Sequence, residues 1–166
     1  LLSRLSRQDD IIIGTPVAGR RHPELASIIG IFVNTLPLRN SSNDSESFVR
    51  FLDKIKISTL DAFENQEYPF EDILEAVHVQ RDTARNPLFD VMFALQNMES
   101  GISDEKTELD IKPLSFESDI AKFDMTMIAF QATDESLHFI FEYCTRLFKD
   151  ETILHFIQYF KNIVTA

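Results

Sequence analysis

The hydrophobic positions of this chain fall in two patterns: continuous apolar runs, typical of β-strands, and apolar residues at helical spacing, typical of α-helices. Apolar runs rich in β-branched and aromatic residues predict strands at residues 11–13, 31–38, 88–95, 109–116, 123–132 and 137–145. Apolar residues at helical spacing predict helices at residues 1–6, 48–63 and 71–77 and at the C-terminal end. Because strands and helices mix without strict alternation, we expect an α/β (α+β) two-layer sandwich, a mixed sheet with helices packed mainly on one face.

Glycine and proline residues interrupt the predicted elements in the first part of the chain. Gly14, Pro16 and Gly19 predict a loop or an irregular strand end after the first strand. Pro23 can open a short helical turn that runs to Ile29. The first and second strands are therefore expected to be joined by a short, partly helical connection.

The longest predicted helix is capped by Ser45 or Ser47, and Pro69 ends it and opens the next helix. Its predicted apolar face consists of Phe48, Phe51, Leu52, Ile55, Leu60 and Phe63.

The second part of the chain predicts a central strand, a hairpin and a closing helix. Residues 88–95 are apolar on both sides, which is typical of a strand in the middle of a sheet. Residues 96–108 are polar and acidic, and the segments 123–132 and 137–145 form the predicted hairpin. Asp150 is the expected cap of the last helix, whose predicted apolar face consists of Ile153, Phe156, Ile157, Phe160 and Val164.

Composition narrows the class of protein. At 166 residues, a single domain spanning residues 1–166 is expected. The net charge of −11 disfavours binding to nucleic acid or to anionic membrane surfaces. Cys144 is the only cysteine, so an internal disulfide is excluded, and no apolar run approaches the roughly 18 residues of a spanning helix. We therefore expect a cytoplasmic location.

No residue pattern predicts a catalytic centre, a metal site or a directly bound cofactor within these residues. The histidines lie apart, none beside a nucleophile motif, and neither HExxH nor a phosphate-binding glycine loop occurs. Cys144 lies in an apolar strand and is expected to be inert packing.

The segment IGIFVNTLPLR (residues 29–39) combines apolar residues with a polar pair. Gly30 permits close backbone approach, and Phe32 and the following valine are expected in the core. Asn34 and Thr35 cost free energy in an apolar run unless they are hydrogen-bonded. From the residues alone, the pair either satisfies backbone groups at a bulge or belongs to a functional surface.

Two further segments have mainly structural interpretations. In NQEYPFE (residues 65–71), Tyr68, Pro69 and Phe70 suit a helix entrance. In RDTARNPL (residues 81–88), the acidic residue can pair with an arginine while an Asn-Pro turn leads into a strand. The residues concerned there are Arg81, Asp82, Arg85, Asn86 and Pro87.

In this order, the three segments resemble the later signature motifs of condensation domains of non-ribosomal peptide synthetases. The resemblance extends over nearly the whole chain, with Glu67 and Ala84 standing where the family often has Asp and Ser. It implies half of a chloramphenicol-acetyltransferase-like pseudo-dimer. The family's catalytic HHxxxDG segment is missing, since no two histidines are adjacent. The chain therefore resembles the C-terminal lobe of such a domain, without the N-terminal lobe.

The resemblance also implies an activity and partners. The family forms a peptide bond between two thioesters held on the phosphopantetheine arms of carrier domains. This chain would supply one wall of the substrate tunnel, with Gly30, Phe32, Asn34 and Thr35 near the lobe interface, and would be inactive alone. Expected partners are the N-terminal lobe, peptidyl carrier domains and the adjacent adenylation domain, with weak self-association of the isolated lobe. The alternatives are a non-catalytic docking module and a related acyltransferase or epimerisation domain.

Overall fold

The computed structural model describes residues 1–42, 45–78, 85–96, 120–132 and 136–166. The elements in chain order are α1 (Leu2–Ser6), β1 (Asp10–Val17), a 3₁₀ turn (Pro23–Leu25), β2 (Asn34–Ser41), α2 (Phe48–Glu64), α3 (Phe70–Val77), β3 (Val91–Gln96), β4 (Met125–Gln131), β5 (Leu137–Tyr143) and α4 (Asp150–Thr165). None of the helices in these ranges combines the length and the apolar character needed to cross a membrane. The strand predicted at residues 109–116 lies outside the described residues.

The five strands form one mixed sheet in the order β2-β1-β3-β4-β5. The two outer pairs, β1 with β2 and β4 with β5, are antiparallel, whereas β3 runs parallel to both β1 and β4. The prediction that residues 88–95 lie in the middle of the sheet is confirmed by the position of β3. The predicted hairpin is confirmed by the β4–β5 pairing.

Helices α1, α2 and α4 cover one face of the sheet. Between them and the strands lies an apolar cleft of about 290 Å³, whose floor includes Ile11, Ile13, Phe93 and Met127. Alternate residues of a strand point to the same face, so these side chains form the inner surface of one layer. The predicted two-layer α/β arrangement is confirmed.

An aromatic cluster joins the central strands to α3. The ring of Phe89, just before β3, contacts Phe70 edge-on at 5.8 Å and stacks on Phe123 at 5.6 Å between ring centroids. Gly14 of β1 is buried under the same ring, and a Cβ atom there would overlap it. The absence of a side chain at Gly14 therefore allows the Phe89 ring to pack against the β1 backbone.

The first strand is longer than predicted, because it continues through Gly14 and Pro16 to Val17. All eight residues of β1 have partners in β2, whereas the pairing with β3 involves only Gly14 and Met92. A proline is tolerated where a strand has a neighbour on one side only. The helical turn is shorter than predicted and ends at Leu25.

The second strand begins later than predicted. Residues 31–33 lie outside it, and β2 runs from Asn34 to Ser41. The polar end of β2 is held against β1 by a two-point pair in which Arg39 donates to Asp10 at 2.7 and 3.0 Å. The expectation that Val33 lies in the core is wrong, since its side chain is 64% exposed. The physical reason is the path of the preceding loop, described below.

Helix caps differ in detail from the prediction. Ser47 is the N-cap of α2, as predicted, and its hydroxyl accepts from the Arg50 N–H. The N-cap of α4 is Lys149 rather than Asp150, because the Lys149 backbone is extended and Asp150 is already the first helical residue. The Asp150 carboxylate accepts a 2.9 Å hydrogen bond from the hydroxyl of Tyr143 in β5. Asp150 thus ties α4 to the sheet from the first turn of the helix.

The apolar faces of the two long helices are only partly buried. On α2, Phe51 and Ile55 are half-buried, whereas Phe48 and Leu52 are exposed. On α4, Ile153 is buried, and Phe160 meets Phe139 edge-on at 5.1 Å. The predicted face residues Leu60 and Phe63 of α2 and Val164 of α4 are also exposed.

The substitution Gly14→Ala should destabilise the fold by about 1–3 kcal/mol, because the new methyl group overlaps the buried Phe89 ring. Equilibrium urea unfolding measures the effect. In a Phe89→Leu background the same substitution should cost much less, because the smaller side chain relieves the overlap. Equal costs in both backgrounds would show that the ring is not the constraint.

Candidate functional site

The loop before β2 presents an apolar strip to solvent. Ile29, Ile31 and Val33 are 101%, 96% and 64% exposed and occupy alternate positions of the chain. We call these three residues the Ile29 strip. Single exposed apolar residues are common, but exposed apolar side chains that lie together form the kind of patch found at binding surfaces.

The backbone of this loop accepts hydrogen bonds from Arg20. The guanidinium Nη1 donates to the carbonyl oxygens of Leu25 and Ile28, the latter at 2.8 Å, and Nη2 donates to Gly30 at 3.2 Å. The guanidinium carbon also lies 4.3 Å from the centroid of the Phe32 ring, within cation–π distance. Gly30 and Phe32, two of the predicted tunnel residues, are therefore placed by Arg20.

Asn34, the first residue of β2, connects the first motif to the second. Its amide Nδ2 donates to the carbonyl oxygens of Gln66 at 2.8 Å and Tyr68 at 2.9 Å. Its Oδ1 accepts from the N–H of Thr35 at 2.8 Å. Both the amide group and the oxygen of the Asn34 side chain are thus hydrogen-bonded within the chain. These bonds offset the free-energy cost of placing an amide in an apolar run.

The second motif forms the entrance of α3. Pro69 is the N-cap residue and Phe70 the first helical residue, and Phe70 contacts the Phe89 ring. The Tyr68 side chain is half exposed, while its carbonyl accepts from Asn34. Thr35 is half-buried and pairs with Pro16 in the β1–β2 ladder.

Only the end of the third motif belongs to the described residues. Arg81 and Asp82 lie outside them. Arg85 forms an ion pair with Asp90, and Asn86 donates to the carbonyl oxygen of Lys122 at 3.4 Å. Pro87, which completes the predicted turn, is half-buried.

The carboxylates next to this motif interact electrostatically. The N–H of Asp124 donates to the carbonyl oxygen of Asp90 at 3.0 Å, which brings the two residues together at the start of β4. Burial, and secondarily the charge on Asp90, raises the pKa of the Asp124 carboxyl, although Arg85 acts in the opposite direction.

The histidines lie on separate elements. His22 precedes the 3₁₀ turn, and His78 ends α3 in the left-handed conformation. His138 in β5 stacks on Phe130, and His155 in α4 stacks on Tyr159. No group of three or more metal-ligand side chains occurs within the described parts of the chain.

The structure brings the three motifs together through two contacts. Asn34 joins the first motif to the second by hydrogen bonds, and Phe70 joins the second to Phe89, one residue past the third. Sequence reasoning missed Arg20 and Phe89 as organising residues. The available signal for Arg20 was its place between Gly19, at φ 63°, and a proline-containing turn. Nothing in the spacing indicated which carbonyls it would reach.

The condensation-domain family model matches residues 1–166, and the chain therefore belongs to the condensation-domain family. This agrees with the resemblance inferred from the motifs, which is confirmed.

The relatives are subunits of large synthetases. The chain is 46% identical over its full length to gramicidin S synthase 2 of Brevibacillus brevis, of which it spans 4%. It is 45% identical over its full length to surfactin synthase subunit 2 of Bacillus subtilis (strain 168), of which it spans 5%. The chain thus corresponds to a small part of the proteins it matches.

Solved structures show the same fold. A four-domain non-ribosomal peptide synthetase bound to AMP and glycine aligns with 95% of this chain at 23% identity and a TM-score of 0.82, over 13% of that protein. The first condensation domain of the CDA synthetase aligns with 93% of this chain at 18% identity and a TM-score of 0.66, over 34% of that protein. The sheet and its helices are therefore those of a condensation domain.

Asn34→Asp should destabilise the protein by about 1–3 kcal/mol at neutral pH, because a carboxylate oxygen replaces the amide that donates to two carbonyls. Urea unfolding provides the measurement. The matched control is Asn162→Asp in α4, where the side-chain oxygen only accepts from Gln158 and the acceptor is retained. Similar losses in both variants would contradict the role assigned to the Asn34 amide.

Asp124→Asn should change the pH dependence of stability. A raised folded-state pKa means that the folded protein binds more protons than the unfolded chain once the pH exceeds the ordinary value of 3.8. The contribution of Asp124 to stability is then full below that value and is lost as the pH rises through the folded-state pKa.

The Asn variant lacks this loss, so its free energy of unfolding should increase relative to the wild type between about pH 4 and pH 7. Urea unfolding across this range tests the trend. The trend should be smaller in an Asp90→Asn background, since the Asp90 charge is the second cause of the shift. A trend of the opposite sign would refute the assignment.

Proposed function

We propose that this chain is the C-terminal lobe of a condensation domain that forms a peptide bond between two carrier-bound aminoacyl or peptidyl thioesters. The observation that carries the proposal is the condensation-domain match over all 166 residues. It is supported by the ordered motif series and by relatives that are antibiotic and lipopeptide synthetases.

The role proposed for this chain is to orient the two tethered reactants rather than to transfer a proton. Holding two tethered reactants in place can supply roughly 7–11 kcal/mol of a reaction barrier. In the proposed mechanism, the second histidine of the HHxxxDG segment in the N-terminal lobe acts as general base or positions the attacking amine. This chain forms one tunnel wall, and in isolation it is inactive.

We place the lobe interface at the Ile29 strip. Its three side chains are exposed and apolar, and they immediately precede Asn34 and Thr35. Burying such side chains against a partner surface is favourable by about 25 cal/mol per Å² of apolar area. Exposure of the strip in the isolated lobe would also favour weak self-association.

The four predicted tunnel residues would act mainly through backbone position. Asn34 directs its side chain to its own chain, and Gly30 offers its carbonyl to Arg20. Phe32 lies under the same guanidinium. In this proposal Gly30, Phe32 and Asn34 determine the backbone path of the tunnel wall, and Thr35 fixes the start of β2.

The proposed partners follow from the family. They are the N-terminal lobe, peptidyl carrier domains whose phosphopantetheine arms deliver the substrates, and an adjacent adenylation domain. The net charge of −11 is consistent with protein partners rather than nucleic acid or anionic lipid. The expected cytoplasmic location stays a prediction.

The proposal is tested by dipeptide formation, followed by mass spectrometry, with two loaded carrier domains. Product should require the complete condensation domain, with none from this chain alone. Product from the chain alone would require a base among its own residues. No product from the complete domain would favour a non-catalytic docking module.

Within the complete domain, Ile31→Asp should lower the rate of dipeptide formation by roughly tenfold or more, because a charge would be buried at the lobe interface. The matched control is Val49→Asp, also exposed but in the first turn of α2, where a negative charge suits the helix dipole. Equal rates for the two variants would place the interface elsewhere.

A further inference from the structure

We infer that Arg20 is a positioning residue for the condensation reaction: it sets the shape of the loop that carries the Ile29 strip. This inference rests on the proposed function, because it assigns a cause to the orientation of the proposed interface.

The first observation is the convergence of three backbone carbonyls on one guanidinium. The carbonyls of Leu25, Ile28 and Gly30 lie within six residues, and all accept from Arg20. A planar guanidinium offers several donors in a fixed fork, so three such bonds constrain both the distance and the direction of the chain. Hydrogen bonds from a charged donor are also stronger than neutral ones.

The second observation is the contact between the loop and the chain beside Arg20. Gly19 has φ 63°, and a Cβ atom at this position would overlap the carbonyl oxygen of Phe32. The Phe32 ring lies under the Arg20 guanidinium at 4.3 Å. The loop therefore returns to the Gly19–Arg20 segment at Phe32, two residues before β2 begins.

We infer from these contacts why the side chains of the Ile29 strip face solvent. Gly30 and Phe32 are held toward Arg20, and the residues that alternate with them are Ile29, Ile31 and Val33. With the Gly30 carbonyl and the Phe32 ring held against Arg20, the side chains of Ile29, Ile31 and Val33 are left exposed to solvent.

The Arg20 guanidinium donates its hydrogen bonds to backbone carbonyl oxygens rather than to a carboxylate. The ion pairs among the described residues involve Arg39, Arg50, Lys54 and Arg85. Arg20 is half-buried, and each of its hydrogen bonds goes to a carbonyl oxygen. Lysine would keep the charge but could not reproduce the fork or the planar stacking.

The test uses the complete condensation domain with loaded carriers and compares Arg20→Ala, Arg20→Lys and the control Arg50→Ala. Arg50 is a suitable control because its side chain is 79% exposed on α2 and the same charge is removed. We expect Arg20→Ala to lower the dipeptide-forming rate by roughly tenfold or more, since small misplacements remote from the chemistry have effects of this size. Arg20→Lys should lie closer to Arg20→Ala than to the wild type, and Arg50→Ala should match the wild type.

Two further readouts separate positioning from general stability. Millimolar guanidinium ion should partly restore the rate of Arg20→Ala but leave Arg50→Ala unchanged, because only the first variant leaves a vacated guanidinium site. Hydrogen exchange should be faster by roughly tenfold in Arg20→Ala for the Ala26 and Ile28 amides, which donate to Pro23 and Leu25, with the β2 amides unchanged.

Unchanged exchange in Arg20→Ala would overturn the inference, whatever the rates. Faster loop exchange with a wild-type rate would overturn the positioning role and leave the proposed function standing. A wild-type domain that forms no dipeptide would refute the proposed function and the positioning role together, whereas the exchange data would still decide whether Arg20 orders the loop.

Discussion

The packing of the Phe89 ring over Gly14 is the constraint on which the described structure depends. The ring stands where β1 and β3 run side by side, and it also contacts Phe70 and Phe123. These contacts connect a strand, a helix entrance and the approach to β4, which are far apart in the sequence. A ring of this size buries about 150–250 Å², so one residue couples several elements that would otherwise meet only through the sheet ladder.

The contacts of Phe89 and Asn34 explain how the motif residues are joined to one another. The Asn34 amide joins the start of β2 to the α2–α3 connection, and α3 is in turn joined to Phe89 through Phe70. Residues that resemble family signatures therefore act here largely through one another. In the proposed function, their part is to hold one surface in a defined shape, which is what orientation of tethered substrates requires.

The Ile29 strip before β2 is the surface that the proposed function assigns to the lobe interface. Its side chains face outward because the alternate residues are drawn toward Arg20. Placing them in solvent has a cost that a partner surface would remove. The arrangement agrees with the proposal of a lobe that is completed by the other half of its domain, with the contact proposed at these three residues.

The sequence by itself determined the fold class, the family and most elements. Apolar runs and helical spacing identified the central strand, the hairpin and the helices, because the burial of apolar side chains is reflected in the local sequence pattern. The three motif segments identified the family, but not the contacts that join them. Ser47 was among the predicted caps because a serine before an apolar helix leaves a hydroxyl free for the first N–H groups.

Only the tertiary structure decided where β2 begins, which side of the loop faces solvent and what Asn34 does. Residues 31–33 are strand-like in composition, yet three hydrogen bonds from Arg20 to the preceding loop hold its path outside the sheet. Asp150 is a natural cap by residue type, but Tyr143 occupies its carboxylate and Lys149 precedes it as the cap. In each case the deciding partner is distant in sequence or set by the chain's path, which local propensity does not contain.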